Sequence, residues 1–271
     1  MRVSGIDLIL TSTAMWSFWT PERIAAVVLA PFIGSFLGVL ILHLPEGRPV
    51  LIDRSRCDRC DAVLGPCDLI PLLSFAILRG RCRHCGGKVA RFHPAVELAA
   101  VAVALGAALA SPSETLWADC IFGWLLLALA WIDWRTHLLP DVLTLPLIMI
   151  GLAQAWWARD DLTDSLIGAA VGYLIVWSLS LGYRWLRGRD GIGLGDAKLL
   201  AAAGAWVGWE GLPLILLGAS LSALAAAGVA RALGHQLRAD TKIPFGPFLA
   251  AAIWGVRLMV EIEGAVGQNS S

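Results

Sequence analysis

Two aspartates stand where apolar runs meet charge. Asp133 lies in Trp131-Ile132-Asp133-Trp134-Arg135. Asp196 follows the glycine-rich stretch Gly191-Ile192-Gly193-Leu194-Gly195 and precedes the apolar segment Leu199 to Val207. Two carboxylates that share one water make an acid–base pair, because like charges split their proton affinities and leave one ionised and the other protonated. The ionised member takes a proton from water while its partner polarises a scissile carbonyl. Such chemistry needs no metal and no nucleophilic Ser or Cys. Taken singly, each residue also has a plainer reading. Asp196 suits a helix N-cap, Asp133 can pair with Arg135, and Asp141 after Pro140 looks like another cap.

A second group with chemical potential is Cys57-x-x-Cys60 and Cys82-x-x-Cys85, a C-x2-C-x21-C-x2-C spacing. Two such knuckles supply four thiolates at tetrahedral geometry, which suits a structural Zn²⁺. Four thiolates leave no open position for catalysis. Arg56, Arg59, Arg81 and Arg83 would help to hold the thiolates deprotonated. Cys67 and Cys120 are left over. Cys120 falls in an apolar run and reads as a small core residue.

The elements that must position these groups are membrane helices. The chain of 271 residues is 58% hydrophobic and 15% charged, with a mean hydropathy of +0.71. Soluble domains run at about 45–50% apolar and about 25% charged. The fold class expected is therefore an all-α polytopic membrane protein. At about 20 apolar residues per span, eight spans are expected, near 24–44, 94–111, 116–133, 142–158, 163–183, 197–211, 212–230 and 245–260. The sixth is short, and the fourth is interrupted by Pro146. The first is too long for a signal h-region and reads as a retained span. Ile6 to Trp19 reads as an interfacial segment. Internal repeats are not evident. The organisation expected is an N-terminal segment and first helix over 1–44, a four-cysteine domain over 45–93 and a helical domain over 94–271.

Formal net charge is zero, and no nucleic-acid partner is expected. The distribution of charge is more telling. The loop 45–93 holds nine Arg and Lys residues, and the loops 134–141, 184–198 and 231–244 are also basic. The intervening loops lean acidic. By the positive-inside rule the basic loops are cytoplasmic and both termini lie outside. Disulfides are disfavoured in a reducing compartment, so the cysteine loop is expected to bind metal. About fifty residues also make a poor core without a metal. The same alternation puts Asp133 and Asp196 at similar depth on one side, so their helices can bring them together. Glu97, after His93-Pro94, sits in the first turn of its span, where an acid favours the helix dipole. Asp119 falls on the other side.

Six ordered motifs carry a resemblance. They are Gly34-Ser35-Phe36-Leu37 with His43-Leu44-Pro45; the two cysteine knuckles with Ile70-Pro71-Leu72-Leu73-Ser74 and Leu78-Arg79-Gly80 between them; and His93-Pro94-Ala95-Val96-Glu97. Ile132-Asp133-Trp134-Arg135-Thr136-His137-Leu138-Leu139-Pro140-Asp141, Gly193-Leu194-Gly195-Asp196-Ala197-Lys198 and Ile243-Pro244-Phe245-Gly246-Pro247-Phe248 follow in order. Together they resemble the bacterial type IV prepilin peptidases, membrane aspartic proteases with a GxGD motif. Departures from that family's usual pattern fall at Gly38, Leu44, Asp58 and Leu69. The resemblance implies an inner-membrane enzyme that cleaves a basic leader from prepilins or pseudopilins after a glycine, at the cytoplasmic face. Asp133 and Asp196 match its catalytic pair, and Cys57, Cys60, Cys82 and Cys85 its zinc ligands. It also implies methylation of the new N-terminus with S-adenosylmethionine, by binding residues the motifs do not identify. The substrate's apolar segment would lie in the lipid against the spans, with its leader near Glu97 or Asp141. A peptidase without methyl transfer, or a non-enzymatic zinc-stapled assembly protein, are the alternatives. A solute transporter fits poorly, because mid-span acids are nearly absent.

Overall fold

The computed structural model describes residues 18–49, 56–57, 59–158, 162–188, 193–234 and 244–268. The interfacial segment expected over Ile6 to Trp19 falls almost wholly outside them. So do Gly191, Ile192 and Ile243, and the loop charges at 159–161, 189–190 and 235–242.

Nine α-helices and two 3-10 turns make up the described fold. They are α1 (Pro21–His43), α2 (Leu73–Ile77), α3 (Phe92–Ala110), α4 (Leu116–Thr136), α5 (Asp141–Ala158), α6 (Leu162–Arg187), α7 (Leu194–Val207), α8 (Leu212–Ala232) and α9 (Gly246–Gln268), with the turns Leu44–Glu46 and Pro66–Leu69. No strand forms among the described residues; only two isolated bridges, Arg56 with Val63 and Arg81 with Lys88, occur in the cysteine loop. The all-α polytopic class is therefore as expected.

The eight long helices follow the order of the eight expected spans, but five have the length and apolarity to cross a membrane. These are α1, α3, α4, α6 and α8. The expected count of eight spans is thus not carried by the helices alone. At 14 residues, α7 is about 21 Å long, short of a hydrocarbon core of about 30 Å. Pro146 lies inside α5, and α9 carries Arg257, Glu261 and Glu263.

Local chemistry explains the ends. Thr20 caps α1 by accepting from the Arg23 N–H, and Pro21 follows at the first helical position, where its missing N–H costs nothing. His137 ends α4 in the left-handed region at φ 54°, its N–H donating to the Asp133 carbonyl. Gly208, at φ 71°, ends α7.

The short α7 is the buried centre of the bundle. Ala197, Leu199, Leu200, Ala202 and Ala203 are fully buried, and Ala201 and Ala205 nearly so. A helix apolar on all sides must be enclosed on all sides. Its contact with α6 is made backbone to backbone: a Cβ at Gly204 would lie 2.1 Å from the Gly168 carbonyl oxygen, and one at Gly172 would lie 2.5 Å from that of Leu200. Small residues let helices approach this closely where no hydrophobic effect drives association. A similar approach brings Gly34 of α1 against the Glu97 backbone of α3.

At one end of the bundle, Arg257 of α9 ties three helices together. Its Nε donates to Asp119 Oδ1 of α4 at 2.8 Å and its guanidinium to the Trp206 carbonyl of α7 at 3.1 Å. It also pairs with Glu261 one turn along its own helix. Asp119 is fully buried, as a charge in this setting can be only when paired.

Candidate functional site

Asp133 sits in the last turn of α4 and is 6% exposed. The N-terminus of α9 points at it: the Gly246 N–H donates to Asp133 Oδ2 at 2.9 Å. A Cβ on Gly246 would lie 2.6 Å from the same oxygen. Glycine is thus the residue that lets the helix end reach the carboxylate. Helix N-termini leave unsatisfied N–H groups that suit an anion.

Asp196 is the third residue of α7. The N-cap of that helix is Gly193, which has no capping side chain, and the Asp196 N–H reaches the Gly193 carbonyl at 3.2 Å. The simple capping reading of Asp196 therefore fails; the residue is inside the helix, half-buried. Gly195 packs against Leu139, with a Cβ there falling 2.9 Å from the Leu139 Cβ. That contact pins the start of α7 to the segment following α4. Asp133 and Asp196 are close enough that the charge of the first acts on the second.

The plainer reading of Asp133 also fails. Arg135 does not pair with it; its guanidinium lies 5.3 Å over the Phe92 ring. Among the described residues Asp133 makes no ion pair. Asp141, at the start of α5, receives Lys198 of α7 at 2.5 Å, so its carboxylate links α5 to the helix that carries Asp196.

The four knuckle cysteines gather as their spacing suggests, with one ligand atom from each of Cys57, Cys60, Cys82 and Cys85 lying within 4.8 Å of the others. The two knuckles are built alike. Cys57 N–H donates to the Ala62 carbonyl and Asp61 N–H to that of Cys57; Cys82 N–H donates to Gly87 and Gly86 N–H to Cys82. Asp61 and Gly86 both take positive φ, which turns each loop around its sulfurs. The backbone N–H groups of Arg59 and Cys60 draw the Cys57 thiol down to about 7, so a thiolate is available near neutral pH. This donor set can hold a metal ion. Cys67 is exposed and Cys120 buried, and neither joins the cluster.

Glu97 is buried, not open to solvent. It accepts from the Leu72 N–H at 2.8 Å, and its backbone packs against Gly34 of α1. It thus ties the cysteine loop to α1 and α3. The Gly246 contact, the Arg257 network and this role of Glu97 were not predicted from sequence. The one local signal was Pro244-Phe245-Gly246-Pro247, a proline-flanked helix start.

Comparison with known proteins accords with these motifs. The family model described as "Type IV leader peptidase family" matches residues 120–228. A second, "Bacterial Peptidase A24 N-terminal domain", matches residues 28–111. A protein of Burkholderia pseudomallei named prepilin leader peptidase/N-methyltransferase is 40% identical over 253 residues, covering 83% of this chain and 82% of its own. One of the same name from Aeromonas hydrophila is 41% identical, covering 82% and 85%. Another, from Pseudomonas aeruginosa, is 36% identical, covering 85% and 88%. No solved structure matches the chain.

Proposed function

The chain belongs to the type IV leader peptidase family, and on that basis we propose that it is a membrane aspartic endopeptidase that removes the basic leader from prepilins or pseudopilins and then methylates the new N-terminus. The observation that carries the peptidase reading is a buried Asp133 held by a backbone N–H, with no cation paired to it among the described residues and near enough to Asp196 for its charge to act there. A carboxylate neutralised by Arg or Lys is a poor proton acceptor. One left free beside a second carboxyl can share a water with it.

Asp133 and Asp196 divide the roles of base and acid. One takes the proton of the attacking water and the other protonates the carbonyl oxygen; as the tetrahedral intermediate collapses, the first gives its proton to the leaving amine and the second recovers its own from the hydroxyl. The Gly246 N–H fixes the Asp133 carboxylate in place before substrate arrives, which is the preorganisation such a step needs. The substrate's apolar segment lies in lipid against the spans. Its scissile bond is then held at the membrane boundary, on the cytoplasmic side of the bacterial inner membrane, and the leader stays in the cytoplasm.

Cys57, Cys60, Cys82 and Cys85 hold a structural Zn²⁺. The tetrathiolate set fits that ion, and it staples a loop too small to have a core of its own. Methyl transfer uses S-adenosylmethionine. A single experiment reads both reactions: a prepilin is co-expressed with the protein and its N-terminus measured by mass spectrometry. Leader loss with an added methyl mass is expected. An intact leader in the presence of inserted protein would overturn the peptidase reading.

A further inference from the structure

The loop between α1 and α3 is basic, yet it contains a run without charge. Over 69–78 the sequence reads Leu-Ile-Pro-Leu-Leu-Ser-Phe-Ala-Ile-Leu, with Ser74 its one polar side chain. Asp68 precedes the run, and Arg79, Arg81 and Arg83 follow it. An apolar run of about ten residues is too short to span a bilayer and suits either a buried helix or a re-entrant segment. Burial excludes the first. α2, at the centre of the run, turns Phe75 and Leu78 toward a cavity and leaves Leu73 and Ile77 outward, at 52% and 68% exposure. Leu69 and Ile70, just ahead of it, are exposed as well.

The depth of this run follows from what it touches. α1 and α3 run antiparallel, and close approaches fix their register: a Cβ at Gly34 would lie 2.6 Å from the Glu97 Cα, and one at Gly38 would lie 3.1 Å from His93 Nδ1. Glu97 is five residues into α3 and Gly34 nine residues short of the end of α1, about 7 Å and about 13 Å inside the helix ends. The Leu72 N–H donates to Glu97 at 2.8 Å. Ser74, Phe75 and Leu78 share a cavity with Ser35, Phe36 and Val39 of α1. The segment 72–78 therefore lies beside the last turns of α1, below the helix ends rather than above them. Phe32 and Phe36 of α1 are exposed there, on a helix long and apolar enough to cross a membrane. The outward face of α2 continues that lipid-facing surface.

The backbone suits such a depth. A polar group in lipid finds no water, so each N–H must be met within the protein. The Ser74 N–H donates to the Ile70 carbonyl, Ala76 to Leu72, Leu78 to Ser74 and Gly80 to Phe75. The Leu72 N–H, ahead of these, is the one that the Glu97 carboxylate accepts. Left-handed residues stand at both ends of α2: Leu72 at φ 59° before it, Arg79 at φ 50° and Gly80 at φ 67° after it. A leucine and an arginine take that conformation only under constraint. Here the constraint is a chain that must turn in and then turn back.

We propose that residues 69–78 form a re-entrant segment that dips into the cytoplasmic leaflet, with Leu69, Ile70, Leu73 and Ile77 against the acyl chains. The partner is the hydrocarbon of the bilayer. The outward face carries no charge or polar side chain for a protein or a headgroup to recognise, and it continues the lipid-facing side of α1. Arg79 and Arg81 follow the dip, and their long stems return the charge to the headgroups. One cysteine knuckle precedes the segment and the other follows it, so the four-cysteine cluster stands on the membrane surface with an apolar anchor between its halves. The loop is then a membrane element in its own right, whatever reactions the chain catalyses.

The test uses the full chain in nanodiscs of phosphatidylethanolamine and phosphatidylglycerol, doped with a phosphatidylcholine that carries a diazirine in mid-acyl chain. After illumination, lipid adducts are located by peptide mass spectrometry. The exposed apolar face of α6, with Trp177 and Leu179, is the reference in lipid, and the two cysteine knuckles are the reference in water. Adducts on 69–78 are expected within about threefold of the α6 yield and at least about tenfold above the knuckles. Leu73→Asp combined with Ile77→Asp puts two charges where acyl chains lie. It is expected to lower the 69–78 yield by at least about tenfold, with bound metal unchanged. Leu73→Met combined with Ile77→Met keeps the face apolar and labels like the parent. If the acidic variant does not insert, the parent and methionine yields decide alone. Labelling of 69–78 no higher than that of the knuckles would overturn the proposal. So would labelling only by a diazirine placed at the headgroup, which is surface contact without insertion. Protection from every lipid probe together with a dimeric mass would put a second copy on the face and overturn it equally.

Discussion

Asp119 and Asp133 lie on one helix, fourteen residues apart, or about 21 Å along its axis. Both are buried, at 0% and 6% exposure. Their partners differ. Asp119 meets the Arg257 guanidinium, which also binds Glu261 and the end of α7. Asp133 accepts from one backbone N–H, and its charge is felt at a second carboxyl, Asp196. Burial alone therefore does not mark a catalytic acid. The nature of the compensation does: a full counter-charge makes a staple, and a dipole with a like-charged neighbour leaves proton chemistry available.

Exchanging the two acids for their amides is the strongest way to break that comparison. Asp133→Asn and Asp196→Asn are each expected to lower leader removal by at least about 1,000-fold, with insertion retained. A gel-shift assay with co-expressed prepilin measures this. Asp119→Asn should leave cleavage per folded molecule close to parental. Normal processing by either dyad variant would show that the carboxylate pair is not the catalyst.

The next largest effect belongs to the staple. Removing Arg257 as Arg257→Ala leaves Asp119 charged and buried, a change that costs about 3–5 kcal/mol in such pairs. Thermal unfolding in detergent should show it as a clear fall in midpoint. The double variant Asp119→Leu, Arg257→Met removes both charges and should recover much of the loss. If Arg257→Ala were instead fully stable but inactive, the outer network would have to be read as part of the site.

Much of this was legible in sequence, for identifiable reasons. Apolar runs near 20 residues gave the helices, and paired Cys-x-x-Cys knuckles gave the thiolate cluster, because both signals are local. Asp196 was ambiguous because a carboxylate early in a helix looks the same whether it caps or reacts. The fold removes the cap reading by using Gly193 as the cap. Asp119 with Arg257 and Asp133 with Gly246 were not legible. They join residues 138 and 113 positions apart, and no periodicity encodes such a meeting. The span count fell short for a physical reason as well. α7, enclosed by its neighbours, has no need of the length that a lipid-facing helix requires.

A subtler perturbation acts on the dipole itself. Gly246→Ala places a Cβ where only 2.6 Å separates it from Asp133 Oδ2, so α9 or the carboxylate must shift. Misplacement of a reacting group by about 1 Å can cost about 100-fold. The loss should fall on kcat with little change in KM, since the substrate's binding surface is untouched. A change confined to KM would assign Gly246 to substrate binding instead.

The smallest effect is expected at the ion pair between Lys198 and Asp141, which stands at the dyad end but opens to solvent. Lys198 is 30% exposed and Asp141 55%. Pairs of this kind contribute about 0–1 kcal/mol, because water screens the attraction and two long side chains lose freedom. Lys198→Ala should therefore shift the unfolding midpoint little and lower cleavage by less than about fivefold, the rate equivalent of 1 kcal/mol. Charge reversal sharpens the point. Lys198→Glu sets two acids against each other at the start of α7, yet in a screened position the penalty stays small, and it should shrink further as salt is added. A large, salt-insensitive loss of cleavage in Lys198→Ala would mean that the pair is shielded in the working enzyme. The contrast between counter-charged and free carboxylates would then run through the dyad end itself, with Asp141 on the staple side and Asp133 and Asp196 on the other.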